Sequence, residues 1–119
     1  MKLVIPCQLK NENAEIDSRF GRANYFLLVD TESDERNFID NVQNLQSPSG
    51  AGIQSAQIVV NAGADAVITG HCGPKAFRAL CAAGVAVYTN VTGSVDDAVN
   101  DFKQGNLKKA EQADVQGHW

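Results

Sequence analysis

The sequence predicts an α/β protein with a five-stranded mixed sheet and helices on both of its faces. Residues 62–69 read as a helix-ending Ala-Gly pair followed by a short apolar strand with Thr at its end, and residues 83–89 repeat this order. The continuous apolar run at residues 3–5 is typical of a strand buried on both faces. Repeated helix–strand units of this kind indicate parallel α/β construction.

The chain is short and acidic. Its 119 residues fit one domain, which we place at residues 1–106 with a polar C-terminal tail at residues 107–119. The net charge is -4 and the basic residues are scattered apart from Lys108 and Lys109, so we expect no nucleic-acid partner. No apolar run approaches the ~20 residues that span a bilayer, and the start is too soon polar for a signal peptide. We expect a cytoplasmic protein without a membrane partner.

The first half of the chain predicts three strands. Strand one ends at Pro6 and Cys7, and polar residues then lead to the FGR sequence at residues 20–22. Strand two covers residues 25–29, and a weaker strand three covers residues 37–42. We expect these two to pair as an antiparallel hairpin at the sheet edge.

Three helices alternate with two strands in the second half. The first helix runs from about Gly52 to Ala62, the second takes Pro74 at its first position, and the third lies between an N-cap at Ser94 and a stop at Gly105. The predicted buried stripes are Ile53, Ala56 and Val60 in the first helix, Phe77, Leu80 and Cys81 in the second, and Val95, Ala98, Val99 and Phe102 in the third.

Right-handed crossovers and the hairpin give the strand order 3-2-1-4-5. Strand one then lies beside strand four, and their connections leave in opposite directions. Ligands of open α/β sheets bind at such a switch point, outside the carboxyl ends of the strands. Residues that follow strands one, four and five should therefore meet at one edge of the sheet.

The sequence GHCGPK at residues 70–75 lies between strand four and the second helix. A glycine-rich turn that opens into a helix offers backbone N–H groups to an anion. We therefore predict that Gly70 and Gly73 belong to a cofactor-binding turn.

Cysteine and histidine side chains supply the candidate metal ligands. His71 and Cys72 lie in the predicted turn and Cys7 ends strand one; these ligand types suit iron-sulfur species, copper or zinc. Exogenous sulfide or a second subunit would complete so small a shell. Each residue also has a structural interpretation: Cys72 as a small turn residue, His71 as a hydrogen-bonding group of the turn, and Cys7 as a packed thiol. Cys81 is interpreted as core and His118 as part of the tail.

Arg19 and Arg22 flank Phe-Gly before strand two. They could hold an anionic ligand, or they could be solvated side chains; the residues alone leave both interpretations open. Strand one contains no carboxylate, which argues against two-metal nuclease chemistry. A Cys72 nucleophile activated by His71 is physically possible, although adjacent residues in a turn rarely point the same way.

Several short motifs together resemble one known family. In order and spacing, the chain resembles the dinitrogenase iron-molybdenum cofactor biosynthesis family, the NifX/NafY-like proteins, through FGRA at 20–23, YF at 25–26, GAG at 50–52, GH at 70–71, GPKAF at 73–77, AGV at 83–85 and VY at 87–88. The resemblance implies a three-layer α/β/α fold with a ribonuclease-H-like motif but without nuclease chemistry. It also implies a small cytoplasmic prokaryotic protein that binds metal-sulfur clusters. Cys72 occupies a turn position that is often another residue in this family.

We interpret the chain as a non-catalytic binder or carrier of a metal-sulfur cluster, either an iron-molybdenum cofactor precursor or an iron-sulfide or thiometalate anion. Cys72, His71 and Cys7 would ligate the metal, while Arg19, Arg22 and the turn would hold the sulfide shell. A cluster donor or acceptor protein is the implied partner. Two alternatives stay open: a small enzyme that uses a Cys72 thiolate, and a regulatory or assembly module that binds a protein through the tail ending at Trp119.

Overall fold

Five strands form one mixed sheet in the order β3-β2-β1-β4-β5, which confirms the predicted topology. The computed structural model describes residues 1–11, 14–41 and 51–110. The elements in chain order are β1 (Lys2–Cys7), β2 (Tyr25–Asp30), β3 (Arg36–Asp40), α1 (Ala51–Asn61), β4 (Ala66–Ile68), α2 (Pro74–Ala82), β5 (Ala86–Tyr88) and α3 (Val95–Lys103). A short 3₁₀ turn, Phe20–Arg22, precedes β2.

The central strand β1 pairs antiparallel with β2 and parallel with β4. It extends through Pro6 to Cys7, which confirms Cys7 at the end of this strand. Proline fits there because β4 pairs with Leu3 and Val4 and ends before reaching it. The Pro6 carbonyl accepts a hydrogen bond from the Asp17 N–H at 2.8 Å. Any other strand residue would also present its own N–H on this side of the strand, and proline has none to leave unpaired.

Alternation along β1 divides the interior into two cores. Leu3, Ile5 and Cys7 face α3, whereas Val4 faces the opposite core. The α3 side buries Val95, Ala98 and Val99, and the other side buries Ala56 and Val59 of α1 with Ala76 and Leu80 of α2. The sheet is thus enclosed between one helix and two helices, which is the predicted three-layer arrangement.

The local signals at the helix ends act as predicted. Pro74 opens α2 after the N-cap Gly73, and the Ser94 hydroxyl accepts a hydrogen bond from the Asp97 N–H at 3.1 Å. Gly63 follows α1 with a φ of 82°, a left-handed conformation that glycine adopts without strain. The α3 stripe is also confirmed, because its three smaller members are buried and Phe102 packs against them.

The predicted stripe of α1 is wrong at Ile53, which is 46% exposed. The helix instead buries Ser55, Ala56 and Val59. Ser55 can face the interior because its hydroxyl donates to the Oδ1 of Asn41, itself fully buried at the end of β3. A satisfied polar residue therefore sets the orientation of the helix, which an apolar pattern does not reveal.

The prediction that Cys81 is core is also wrong, because its thiol is exposed. The face of α2 that packs on the sheet is centred on Ala76 and Leu80. Successive residues of an α-helix are about 100° apart, so Cys81 turns away from a face that contains Leu80.

Leu107 and Ala110, in the polar tail that we place at residues 107–119, contact the rest of the domain. Leu107 packs against the core on the α3 side, and the Ala110 N–H donates to the Val87 carbonyl at 2.7 Å. The remaining tail with His118 and Trp119, and the predicted strand end at residue 42, lie outside the described residues. Within residues 1–11, 14–41 and 51–110, no helix has the length and hydrophobicity needed to cross a membrane.

Candidate functional site

The loops that follow β1, β4 and β5 meet at one edge of the sheet, as the switch point predicts. The loop after β1 turns back beneath the loop after β5, where the Ile16 N–H donates to the Gly93 carbonyl at 2.9 Å. The loops after β4 and β5 are joined by the Asn90 N–H, which donates to the Gly70 carbonyl at 2.8 Å. These main-chain bonds fix the positions of three segments that are far apart in sequence.

The predicted glycine turn lies directly against the segment that carries the two arginines. The Phe20 N–H donates to the His71 carbonyl at 3.2 Å, and Arg19 pairs with His71 in a parallel bridge. A Cβ atom on Gly70 would lie 2.8 Å from the Cα of Ser18. The glycine turn and the segment with the two arginines, which form the two walls of the predicted site, are therefore in backbone contact.

The 3₁₀ turn Phe20–Arg22 holds the arginines at the rim of this contact. Phe20 is fully buried, and its ring lies 5.3 Å from the ring of Phe26. Arg19 is exposed and Arg22 is half-buried. One buried aromatic residue thus anchors the turn, while basic side chains on either side of it stay accessible to a ligand or to solvent.

An open groove of about 510 Å³ extends from Arg19 along the loop after β1. Its lining residues are Gln8, Leu9, Asn11, Ala14, Glu15, Ile16, Asp17, Ser18 and Arg19. This volume lies within the range that small ligands occupy. The sequence predicted that residues following strand one reach this edge, but of the residues that line the groove it singled out Arg19 alone.

The two candidate thiols lie on opposite faces of the sheet. Cys7 belongs to the core on the α3 side and Cys72 to the core formed with α1 and α2; both are fully buried. Burial, together with the nearby Asp17 carboxylate, raises the pKa of the Cys7 thiol from 9.0 to about 11, against a backbone hydrogen bond at Leu27 that lowers it. A thiolate ligand at Cys7 is therefore disfavoured at neutral pH.

Within the described part of the chain, no three His, Cys, Asp or Glu side chains are grouped so that they could hold a metal ion. His71 is half-buried in the turn next to Cys72, but Cys7 points into the other core. The topology thus brings Cys7, His71 and Cys72 to one edge without forming a three-ligand centre.

We expect alkylation of the native, metal-free protein to be fast at Cys81 and slow at Cys7 and Cys72. The reason is access, since only the first of these thiols is exposed. Mass spectrometry of protein alkylated with iodoacetamide for increasing times would locate the modified residues. A Cys81→Ser variant is the control and should react only on unfolding; rapid labelling of Cys72 in it would favour the cysteine-enzyme alternative.

Comparison with known proteins places these features in a family. The family model described as dinitrogenase iron-molybdenum cofactor matches residues 1–105. The chain belongs to this family. The dinitrogenase cofactor resemblance found in the sequence motifs is therefore confirmed, and it covers the whole sheet and all three helices.

Two solved structures and one curated relative are similar to this member of the dinitrogenase cofactor family along nearly their whole lengths. The apo form of the orange protein from Desulfovibrio gigas is 33% identical with a TM-score of 0.94, and the match covers 96% of each chain. A NifB-like protein from Thermotoga is 32% identical with a TM-score of 0.84, and 98% of each chain is covered. An uncharacterised protein of Methanocaldococcus jannaschii is 32% identical over 93% of this chain and 92% of its own.

Proposed function

We propose that this protein binds or carries a metal-sulfur cluster, as an iron-molybdenum cofactor precursor or an iron-sulfide or thiometalate anion. Its family and its structural relatives suggest a role in the biosynthesis or binding of the iron-molybdenum cofactor. The observation that carries the finer proposal is the backbone contact at the switch point, where Arg19 pairs with His71 of the glycine turn. The groove lined by residues 8–19 adjoins this contact at Arg19. The cluster is the cargo of the protein and is exchanged with a cytoplasmic donor or acceptor protein.

An anionic sulfide shell suits the groups present at this edge. Arg19 and Arg22 supply positive charge, which pairs with an anion through charge-assisted hydrogen bonds. The N-cap of α2 is Gly73, which has no side chain, and the positive end of the helix dipole at this position favours an anion. The proposed holding groups are therefore Arg19, Arg22 and the turn that contains Gly70 and Gly73.

Direct ligation is proposed for His71 and Cys72, which are adjacent in that turn. Cys72 is buried, so its ligation requires the turn to open around the incoming cluster. Cys7 would require a larger change, because it faces the other core and its pKa is raised to about 11. Burial of Cys72 argues against the cysteine-enzyme alternative in the observed conformation, since an enzyme nucleophile needs an accessible thiolate, and it makes ligation depend equally on opening of the turn. We accordingly propose a non-catalytic protein with a ribonuclease-H-like motif but without nuclease activity.

We expect the protein to take up tetrathiomolybdate or iron sulfide under anaerobic conditions. Each charge-assisted hydrogen bond contributes about 1.5–3 kcal/mol, so the Arg19→Gln/Arg22→Gln variant should raise Kd by at least about tenfold. Cys72→Ala should also weaken uptake if the turn opens as proposed. Elemental analysis and visible absorption titrations of the anaerobic protein measure these effects.

A Lys2→Gln variant is the matched control, because it also removes positive charge but lies at the start of β1, at the opposite end of the strand. Its Kd should equal that of the wild-type protein. Absence of uptake by the wild-type protein with both tetrathiomolybdate and iron sulfide would refute the proposed function. Unchanged uptake by Cys72→Ala would remove Cys72 from the ligand set.

A further inference from the structure

The segment of residues 17–24, here called the arginine segment, carries both arginines of the proposed site. It begins at a buried carboxylate, that of Asp17, which is 5% exposed. It ends at Asn24, just before β2. The two ends are seven positions apart in the chain and are connected by the side chain of a residue outside the segment.

That side chain is Gln8, the first residue after β1. Its Nε2 donates a hydrogen bond to the Oδ2 of Asp17, and its Oε1 accepts one from the Nδ2 of Asn24 at 2.6 Å. The Asn24 Nδ2 also donates to the Gln8 carbonyl at 3.2 Å. Both atoms of one side-chain amide are thus used, one at each end of the arginine segment.

The Asp17 carboxylate carries this restraint to Arg19. Its Oδ1 accepts a hydrogen bond from the Arg19 N–H at 2.8 Å, and the Asp17 N–H donates to the Pro6 carbonyl at 2.8 Å. A buried carboxylate without such partners would be strongly disfavoured, so these bonds are held firmly in the folded protein. The Gln8 amide therefore restrains a carboxylate that itself fixes the main chain at Arg19.

A second set of hydrogen bonds fixes the other end of the segment to the domain. The Asn41 N–H donates to the Asn24 carbonyl at 2.8 Å, and the Asn41 Nδ2 donates to the Ala23 carbonyl at 2.8 Å. Arg22 immediately precedes these two anchored carbonyls. Because this end is fixed by buried Asn41, Gln8 joins the start of the segment to a rigid point.

We propose that Gln8 is the positioning residue of the arginine segment: by joining Asp17 to Asn24 it holds Arg19 and Arg22 in the arrangement that binds the anionic cargo. This inference rests on the proposed function. Without the amide, the main chain at Arg19 samples more conformations. The cargo must then restrict them on binding, which weakens affinity although both arginines remain.

Three variants test the role of the amide. Gln8→Ala removes it, and Gln8→Glu places a second carboxylate against Asp17. The double variant Gln8→Glu/Asp17→Asn reverses the polarity of the pair: the amide introduced at position 17 can donate to the new carboxylate, which still accepts from Asn24. It also keeps the wild-type net charge, so electrostatic attraction of the anion is not confounded with the positioning effect.

With tetrathiomolybdate as the probe, we expect Gln8→Ala to raise Kd by about threefold to tenfold, the equivalent of about one hydrogen bond. Gln8→Glu should bind more weakly than Gln8→Ala, and the reversed pair should return to within about twofold of the wild-type Kd, as two restored hydrogen bonds require. In the Arg19→Gln/Arg22→Gln background, Gln8→Ala should have no further effect, because there is no arginine left to position. An additive effect there would overturn the proposal.

Amide hydrogen exchange measured by NMR gives a readout that does not depend on cargo. Gln8→Ala should accelerate exchange at Arg19 and Phe20, whose N–H groups are bonded to Asp17 and His71, and leave Val95 unchanged. Gln57→Ala is the matched control, since it removes an exposed amide that bonds to Asn61 within α1. It should change neither Kd nor exchange in the arginine segment.

The outcomes separate the two proposals. If the wild-type protein binds no tetrathiomolybdate or iron sulfide, the proposed function fails, and the exchange rates alone decide whether Gln8 restrains the segment. If the wild-type protein binds but Gln8→Ala has the same Kd, Gln8 has no positioning role in binding. Unchanged exchange at Arg19 and Phe20 in Gln8→Ala would overturn the restraint itself.

Discussion

A Gly70→Ala substitution is expected to force apart the two walls of the site and to destabilise the fold. The new Cβ would lie 2.8 Å from the Cα and 3.0 Å from the carbonyl oxygen of Ser18, and both are main-chain atoms that no rotamer change can move. Gly70 is also held from its other side, where its carbonyl accepts the Asn90 N–H at 2.8 Å. Overpacking of this kind lowers the free energy of unfolding by about 1–3 kcal/mol, and we expect about 2.

The effect on cargo should be larger than the effect on stability, because the displaced main chain leads directly to Arg19. We expect tetrathiomolybdate affinity to fall by at least about tenfold, the same loss that we expect when the charge-assisted bonds of the arginines are removed. Urea denaturation measures the first effect and absorption titration measures the second.

Gly105→Ala is the control that separates the two effects. Gly105 has a φ of 75° and open space around a new Cβ, at the end of α3. Alanine there is strained by about 1–2 kcal/mol but touches no part of the site. The control should therefore be destabilised while its Kd stays at the wild-type value; if Gly70→Ala behaves in the same way, the close contact with Ser18 does not support binding.

The strand order was predictable from the sequence because each of its signals is local and repeated. The helix-ending Ala-Gly pairs, the short apolar runs and the hairpin pattern each mark an element that is present in the structure. Together with the handedness of crossovers they leave one simple order. The same topology predicted that Cys7 and the turn at residues 70–75 would reach one edge of the sheet, which the structure shows.

Which face a side chain occupies was harder to predict than which edge it reaches. Cys7 is an even number of residues away from Leu3 and Ile5. Alternation along β1 therefore predicts that all three side chains lie on the same face of the sheet. Cys72 follows its strand in a turn, where no such alternation applies. Two thiols at one edge were therefore taken as neighbours, although the sheet separates them.

Polar contacts between loops were not predictable from the sequence. The bonds of Gln8 to Asp17 and Asn24 join residues 9 and 16 positions apart in the chain, and they depend on the finished tertiary structure. Ser55 shows the same limit inside a helix: it is buried because Asn41 meets it there, and this displaced the predicted stripe at Ile53. Apolar periodicity carries no information about such pairs.

The free energy of unfolding is expected to fall between pH 9 and pH 11 because of the Cys7 thiol, whose pKa is raised from 9.0 to about 11 in the folded protein. Above pH 9 the thiol ionises in the unfolded chain while the folded protein keeps its proton. The unfolded state then binds fewer protons, so stability decreases as pH rises. The contribution is fully present below pH 9 and is lost as pH rises through about 11.

Each pKa unit corresponds to about 1.4 kcal/mol, and the exposed loop next to Cys7 screens part of the shift, so we expect a loss of about 2 kcal/mol. Urea denaturation of the wild-type protein and of Cys7→Ala, below pH 9 and near pH 11, measures it as a difference. All other ionisable groups are common to the two proteins, so their contributions cancel in the difference. Parallel pH curves would mean that the pKa of Cys7 is the same in the folded protein as in the unfolded chain. Its thiolate could then bind a soft metal ion at neutral pH. A curve that falls more steeply for the wild-type protein than for Cys7→Ala would show that the folded thiol keeps its proton above pH 9, which leaves ligation to His71 and Cys72.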